Sequence, residues 1–277
     1  MLTGPATGVR AGHRTGSRAG RGSRRLLASA APVVLPLVGL VLVLGTWWGA
    51  TALFEIRPIL LPPPADVGRA LVERSDFLLR ESRVTLFEVL VGFLLVTGGG
   101  LLIGTVIAHS RTVDQMVSPW LVALNAVPKV ALAPLLVVWL GFSSEPRIAM
   151  VILLCFFPVV LATFTGLTST PVELAELARS LDASRWQAFV KVRFPYALPQ
   201  IFVGLKVAMP LAFVGAVIGE FRGRGGLGQI IVQAPSSGDT ALAFASIVVL
   251  SGMSIACYYA LVGLERLLLP WVRATTG

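Results

Sequence analysis

Apolar runs of about twenty residues recur along the chain, at roughly 32–54, 83–108, 117–141, 146–168, 200–220 and 240–268. Each is long enough to cross a hydrocarbon layer as a helix. The pattern therefore predicts an all-α, polytopic membrane helix bundle of about six spans. Proline and glycine shape these spans. Pro128 and Pro134 in the third, and Pro210 in the fifth, predict kinks, because each removes a backbone donor. Gly100-Leu101-Leu102-Ile103-Gly104 is a GxxxG pattern, whose small residues let helix backbones approach closely; ordinary packing suits it better than a dedicated dimerisation role.

Polar stretches divide the chain into a basic leader at 1–31, the first span at 32–54, a connecting segment at 55–82, a core at 83–268 and a tail at 269–277. In the connecting segment, Leu61-Pro62-Pro63-Pro64 fixes an extended backbone. Val67, Leu71, Phe77 and Leu78 then approximate one helical face, with Arg69, Glu73, Arg74 and Asp76 elsewhere. That suits a short amphipathic helix lying at the membrane surface.

The long polar insertion in the core, 170–199, reads as a two-helix hairpin. Thr170-Pro171-Val172-Glu173 has Thr at an N-cap, Pro at the first helical position and Glu at the third, a capping-box pattern. It predicts a helix from Pro171 to about Leu181, with Leu174, Leu177, Ala178 and Leu181 recurring at helical spacing. Ser184-Arg185-Trp186-Gln187 repeats the pattern, and the second helix should carry Trp186, Phe189 and Val190 and stop near Pro195. The corner falls at Asp182-Ala183. Two specified caps and two apolar faces suit a rigid element that docks into a partner's groove better than a solvated connector.

Composition and charge add the compartment. Only 13% of residues are charged and the mean hydropathy is +0.82, too little polar surface for a water-soluble domain of this length. The net charge of +9 owes much to a Gly/Ser/Arg-rich leader carrying Arg10, Arg14, Arg18, Arg21, Arg24 and Arg25. Such a leader suits disorder, a cytoplasmic N-terminus and contact with anionic membrane lipid better than it suits nucleic acid. Ser23-Arg24-Arg25-Leu26-Leu27 has a twin-arginine look, but the run 32–54 is too long for a signal peptide and is read as an uncleaved helix. On this topology the hairpin and both termini are cytoplasmic, and 55–82 and 221–239 face outward. Cys155 and Cys257 lie in apolar segments, and His13 and His109 are isolated, so neither a disulfide nor a metal site is expected.

No Gly-x4-Gly-Lys-[Ser/Thr] phosphate loop is present, and none of Lys129, Lys191 and Lys206 ends one. Any energy the protein needs must therefore come from a partner or an ion gradient. Lys129, beside Pro128 and deep in a span, has two readings: it lines a watery path and attracts an anion, or it supports a helix break. Lys206 lies about two turns into its span, within reach of the inner surface by snorkelling. Glu220 stands with Arg222 and Arg224 at the outer end of span five, either at the mouth of a path or in local ion pairs.

The hairpin resembles the EAA loop of ATP-binding-cassette (ABC) importer permeases, roughly E-A-A-x3-G-x9-I-x-L-P. Glu176-Leu177-Ala178 stands for E-A-A, Val192 for the isoleucine and Phe194-Pro195 for L-P, while Asp182 replaces the glycine. Leu61-Pro62-Pro63-Pro64, the stretch from Val127-Pro128-Lys129 to Pro134-Leu135, Trp139-Leu140-Gly141 and Gly226-Leu227-Gly228 extend the likeness. They point to the branch that imports nitrate, sulfonates, taurine and thiamine-precursor pyrimidines. The resemblance implies a bacterial inner-membrane permease that is a transport subunit and not an enzyme, with no cofactor of its own; ATP and magnesium are bound and the ATP hydrolysed by a cytoplasmic ATPase dimer. It also implies a second permease copy as a homodimer and an extracytoplasmic solute-binding protein. It assigns coupling to Glu173, Glu176, Leu177, Ala178, Arg179, Asp182, Ala183 and Arg185, although Glu173 also reads as its helix's own cap. The alternative is an ion-driven secondary transporter, which predicts paired broken helices and buried acids; Glu88 is the one carboxylate well inside a span.

Overall fold

A computed structural model describes the backbone of residues 20–221, 223 and 225–271. Arg10, Arg14, Arg18, Arg222, Arg224 and Arg273 lie outside the described residues. The chain divides into two units, 1–55 and 56–277. The first holds α1 (Gly20–Leu53). Residues 20–31, expected in the disordered leader, are therefore helical. Leu26, Leu27, Ala28, Ala30 and Ala31 are good helix formers that prolong a helix already nucleated by the apolar run.

In the second unit, α2 (Pro64–Glu73) follows an extended Pro63 with φ −59° and ψ 147°, as the proline run predicts. It buries Val67 and packs against α11 (Thr240–Leu268). Helix α3 (Ser75–His109) starts one residue later, at 75 rather than 83. Phe77 and Leu78 consequently belong to α3 and not to the surface helix. Arg74 closes α2 and its carbonyl accepts from Leu78 N–H at 2.9 Å, so the chain resumes a helix at once.

The core is built from α3, α6 (Glu145–Thr168) and α9 (Phe194–Glu220). Helices α3 and α6 run parallel in constant register: Gly92 meets Val151, Gly100 meets Val159 and Gly104 meets Thr163. Helix α9 runs antiparallel, with Gly204 on Ala162, Gly215 on Val151 and Gly219 on Arg147. The GxxxG pair thus serves packing within the chain. A Cβ on Gly100 would lie 2.7 Å from Val159 Cγ1, and one on Gly204 only 2.2 Å from Ala162 Cβ. Buried Ala208, Ala212 and Ala216 continue this close-packed face of α9, and the Cys155 thiol donates to the Ala208 carbonyl at 3.2 Å.

The parallel register decides how many times the chain crosses. From Glu88 to His109, α3 rises about 32 Å, and α6 covers the same height in the same sense. Residues 111–140 must return across that height. They do so as α4 (Arg111–Ala126), a 3₁₀ turn (Lys129–Leu132) and α5 (Ala133–Leu140), bent by 78°. This is a broken span, and with α1 it makes six. Where a kink was expected there is a full break: Val127 is extended, Pro128 has left the helix with φ −69° and ψ 87°, and Pro134 lies in the first turn of α5. Pro210 lies within an unbroken α9.

The remaining helices are α7 (Val172–Ser180) and α8 (Arg185–Ala188), which form the hairpin, and α10 (Leu227–Ser236), which packs on α11 and α9. The hairpin adjoins the end of α6 and the start of α9, and His109 at the end of α3 shares a cavity with it. Lys206 Nζ bonds both carboxylate oxygens of Glu265, three residues from the end of α11, at 3.0 and 2.8 Å.

Candidate functional site

The hairpin forms from local rules, with one difference from expectation. The Thr170 hydroxyl donates to the Leu167 carbonyl at 3.4 Å, at the last turn of α6, and does not cap α7. Pro171 occupies the N-cap position with φ −55° and ψ 143°, and α7 has no side-chain cap. With Pro171 at the N-cap there is no N–H there for the Glu173 carboxylate to accept from, and Glu173 is exposed.

The corner closes as a Schellman motif. Ala183 N–H reaches back to the Ala178 carbonyl and Asp182 N–H to that of Arg179, both at 3.0 Å. The motif requires a left-handed residue, and Asp182 supplies it with φ +53°. This is the position where the resemblance places glycine. An aspartate tolerates the left-handed region better than most residues, at some cost relative to glycine. Asp182→Gly is expected to slow hydrogen exchange of the Ala183 amide by about two- to fivefold. Asp182→Val should speed it; equal exchange in all three proteins would argue against strain at the corner.

The second capping box is present as the sequence indicates. Gln187 N–H donates to Ser184 Oγ at 3.2 Å, and Ser184 N–H to Gln187 Oε1 at 2.9 Å. The helix does not stop at Pro195. A π turn over Phe189–Arg193 joins α8 to α9, with Phe194 N–H bonding the Phe189 carbonyl five residues back. The wider turn accommodates a proline that has no N–H to give. Phe189 is stacked on Trp186 at 5.9 Å and touches Phe194 at 6.1 Å between ring centres.

Of the residues assigned to coupling, Glu173, Glu176, Leu177, Arg179, Asp182 and Arg185 are exposed, Ala183 is half-buried and Ala178 is buried. Leu181 and Trp186 are each 72% exposed. The hairpin therefore presents apolar and acidic side chains together on a backbone fixed by a Schellman corner and a capping box. Behind the corner lies a cavity of about 480 Å³, which Ala178 and Ala183 help to line.

The second candidate region is the break between α4 and the 3₁₀ turn. Lys129 Nζ donates to Asn125 Oδ1 at 2.6 Å, and Pro128 is exposed beside it. Lys129 and Asn125 line a cavity of about 240 Å³ with Leu153, Phe156 and Phe157 of α6. Phe156 lies halfway along α6, so a cation and an amide meet aromatic rings midway between the two ends of the bundle.

Glu220 sits at the end remote from the hairpin, fully buried. Its carboxylate accepts from Thr85 Oγ1 at 2.6 Å and from Gly228 N–H at 2.5 Å. Next to it Arg147 Nη1 pairs with Glu88 Oε1 at 2.7 Å, and both residues are buried. Leu227 N–H donates to Thr85 Oγ1 and Gly226 N–H to Glu81 Oε2, at 3.0 and 2.6 Å. Gly226 has φ +94°, and a Cβ there would lie 2.3 Å from the Glu220 carboxyl carbon. The glycine loop is thus moulded onto the acid. Sequence reasoning did not join Arg147 to Glu88. The available signal was a lone acid inside a span, which needs a partner.

Residues 100–274 match the family of binding-protein-dependent transport system inner membrane components. The riboflavin transport system permease of Chloroflexus aurantiacus is 37% identical over 237 residues, covering 84% of this chain and 88% of that protein. The formylaminopyrimidine transport permease of Halalkalibacterium halodurans is 34% identical over 226 residues, covering 81% and 90%. Among solved structures, a chain of the inward-facing MetNI methionine ABC transporter superposes with a TM-score of 0.61 at 22% identity, over 69% of this chain and 95% of that one, a likeness of fold. The parallel and antiparallel helix core, the capped hairpin and these matches agree: the chain belongs to the family of binding-protein-dependent transport system inner membrane components, the permease subunits of ABC importers of small solutes.

Proposed function

We propose that two copies of this chain form the path of an importer driven by a cytoplasmic ABC ATPase dimer and supplied by an extracytoplasmic binding protein. The observation that carries this reading is the hairpin: exposed Leu181, Trp186 and Glu176 on a backbone locked at both the corner and the second helix start. ATP and magnesium act in the ATPase, which lends its closure to the hairpin by contact. In this arrangement the hairpin and both termini are cytoplasmic, and the Glu220 end faces outward.

For the solute, Lys129 and Asn125 offer donors and Phe156 and Phe157 offer ring faces in one cavity. That chemistry suits a planar nitrogen heterocycle with acceptor atoms, the class named for two of the relatives, ahead of nitrate or a sulfonate such as taurine. Purification in mild detergent should bring the ATPase along with the wild-type chain, and Leu181→Asp with Trp186→Ala should deplete it at least about tenfold. Equal recovery with both proteins would move docking elsewhere. Radiolabelled uptake of a formylaminopyrimidine, taurine and nitrate in turn then sorts the solute classes.

A further inference from the structure

The cavity behind the hairpin corner shares Arg179 and Arg185 with the residues assigned to coupling, and adds His109 and Arg193, which that assignment does not include. Four basic groups converge on it: His109 from the end of α3, Arg179 from α7, Arg185 from α8 and Arg193 from the π turn. No carboxylate lines it, and among the described residues none of the three arginines has a carboxylate oxygen within 4.0 Å. The three guanidiniums gathered without a counter-charge repel one another, and an anion drawn into the cavity relieves that repulsion. The floor is apolar, formed in part by Phe189 and Val192.

Position narrows the anion. His109 is the last residue of α3, and Arg193 lies where the helix that becomes α9 passes from polar to apolar sequence, so the cavity falls at the polar margin of the apolar bundle. That is the depth of lipid headgroups. Guanidinium forks match pairs of phosphate oxygens, and an aromatic and aliphatic floor suits the glycerol and first methylenes of a lipid.

We propose that this cavity binds a phosphate group, the headgroup diester of an anionic phospholipid or free phosphate, and that the bound group ties the end of α3 to the hairpin corner. Binding itself does not depend on the ATPase reading, so it is tested on the chain alone.

The full-length chain, purified in detergent, is mixed with equal amounts of phosphatidylglycerol and phosphatidylcholine, and retained lipid is measured by native mass spectrometry. Wild type should keep phosphatidylglycerol in preference to phosphatidylcholine. Arg193→Gln should lose about fivefold in retention, and combining it with Arg179→Gln and Arg185→Gln about a hundredfold. Circular dichroism and a thermal melt of each variant report folding. Should the triple variant not fold, the exposed single change Arg193→Gln carries the test. Displacement of the lipid by millimolar inorganic phosphate assigns the site to the free ion, and its persistence assigns it to lipid. Equal retention of the two lipids by wild type, with no displacement or shift on adding inorganic phosphate, overturns the proposal, as does unchanged retention in the folded arginine variants.

Discussion

Arg147→Ala is expected to destabilise the bundle by about 3–5 kcal/mol, read as a fall in the unfolding midpoint of the purified protein in detergent. The guanidinium is 4% exposed and bonds Glu88, itself 1% exposed, across α3 and α6. Removing it leaves a buried carboxylate without its counter-charge, and in that setting the desolvation of the survivor dominates over any loss of attraction. The glycine loop loses support as well, because Gly223 packs on this guanidinium and the Gly225 carbonyl accepts from it at 3.5 Å. Pairing Glu88→Leu with Arg147→Met should recover part of the loss, since no unpaired charge is then left between these two helices. A loss below about 1 kcal/mol for Arg147→Ala would mean that water reaches the cluster and hydrates the remaining acid.

Glu176→Arg is expected to reduce ATP-driven uptake by about two orders of magnitude while leaving the melting transition of the chain in place. Glu176 is exposed on α7, so its replacement costs the fold little. On the proposed assembly the effect falls on docking, because the reversed charge removes whatever attraction Glu176 has for the ATPase. Uptake in vesicles and ATPase recovery on purification should fall together. Full uptake by a folded Glu176→Arg protein would remove this residue from the coupling contact.

What could be read from the sequence was what neighbouring residues decide. Span length follows from runs of apolar residues. The capping box at Ser184 and Gln187 and the corner at Asp182 are contained within a few positions, and the structure has both. Thr170 had the same local signature, yet its hydroxyl serves the helix it leaves and not the one it would start. Pro195 was read as a stop because a regular α-helix disfavours proline; the π turn removes that conflict. Distant pairings were the least legible. Glu88 and Arg147, Thr85 and Glu220, and Lys206 and Glu265 each join helices far apart in the chain, and only the register of α3, α6, α9 and α11 brings them together. The 78° break in the third span is similar, since the prolines mark where the chain can bend and packing on α6 sets how far.

The helix that leaves the hairpin runs unbroken from Arg185 to Glu220, a rod about 54 Å long. One end carries the hairpin, which on the proposed assembly meets the ATPase, and the other carries the acid clasped by the glycine loop. A tilt of about 10° around its midpoint would displace each end by about 5 Å in opposite directions. Force applied on one face of the membrane thus reaches the other as simple leverage, with no relay of side chains between them.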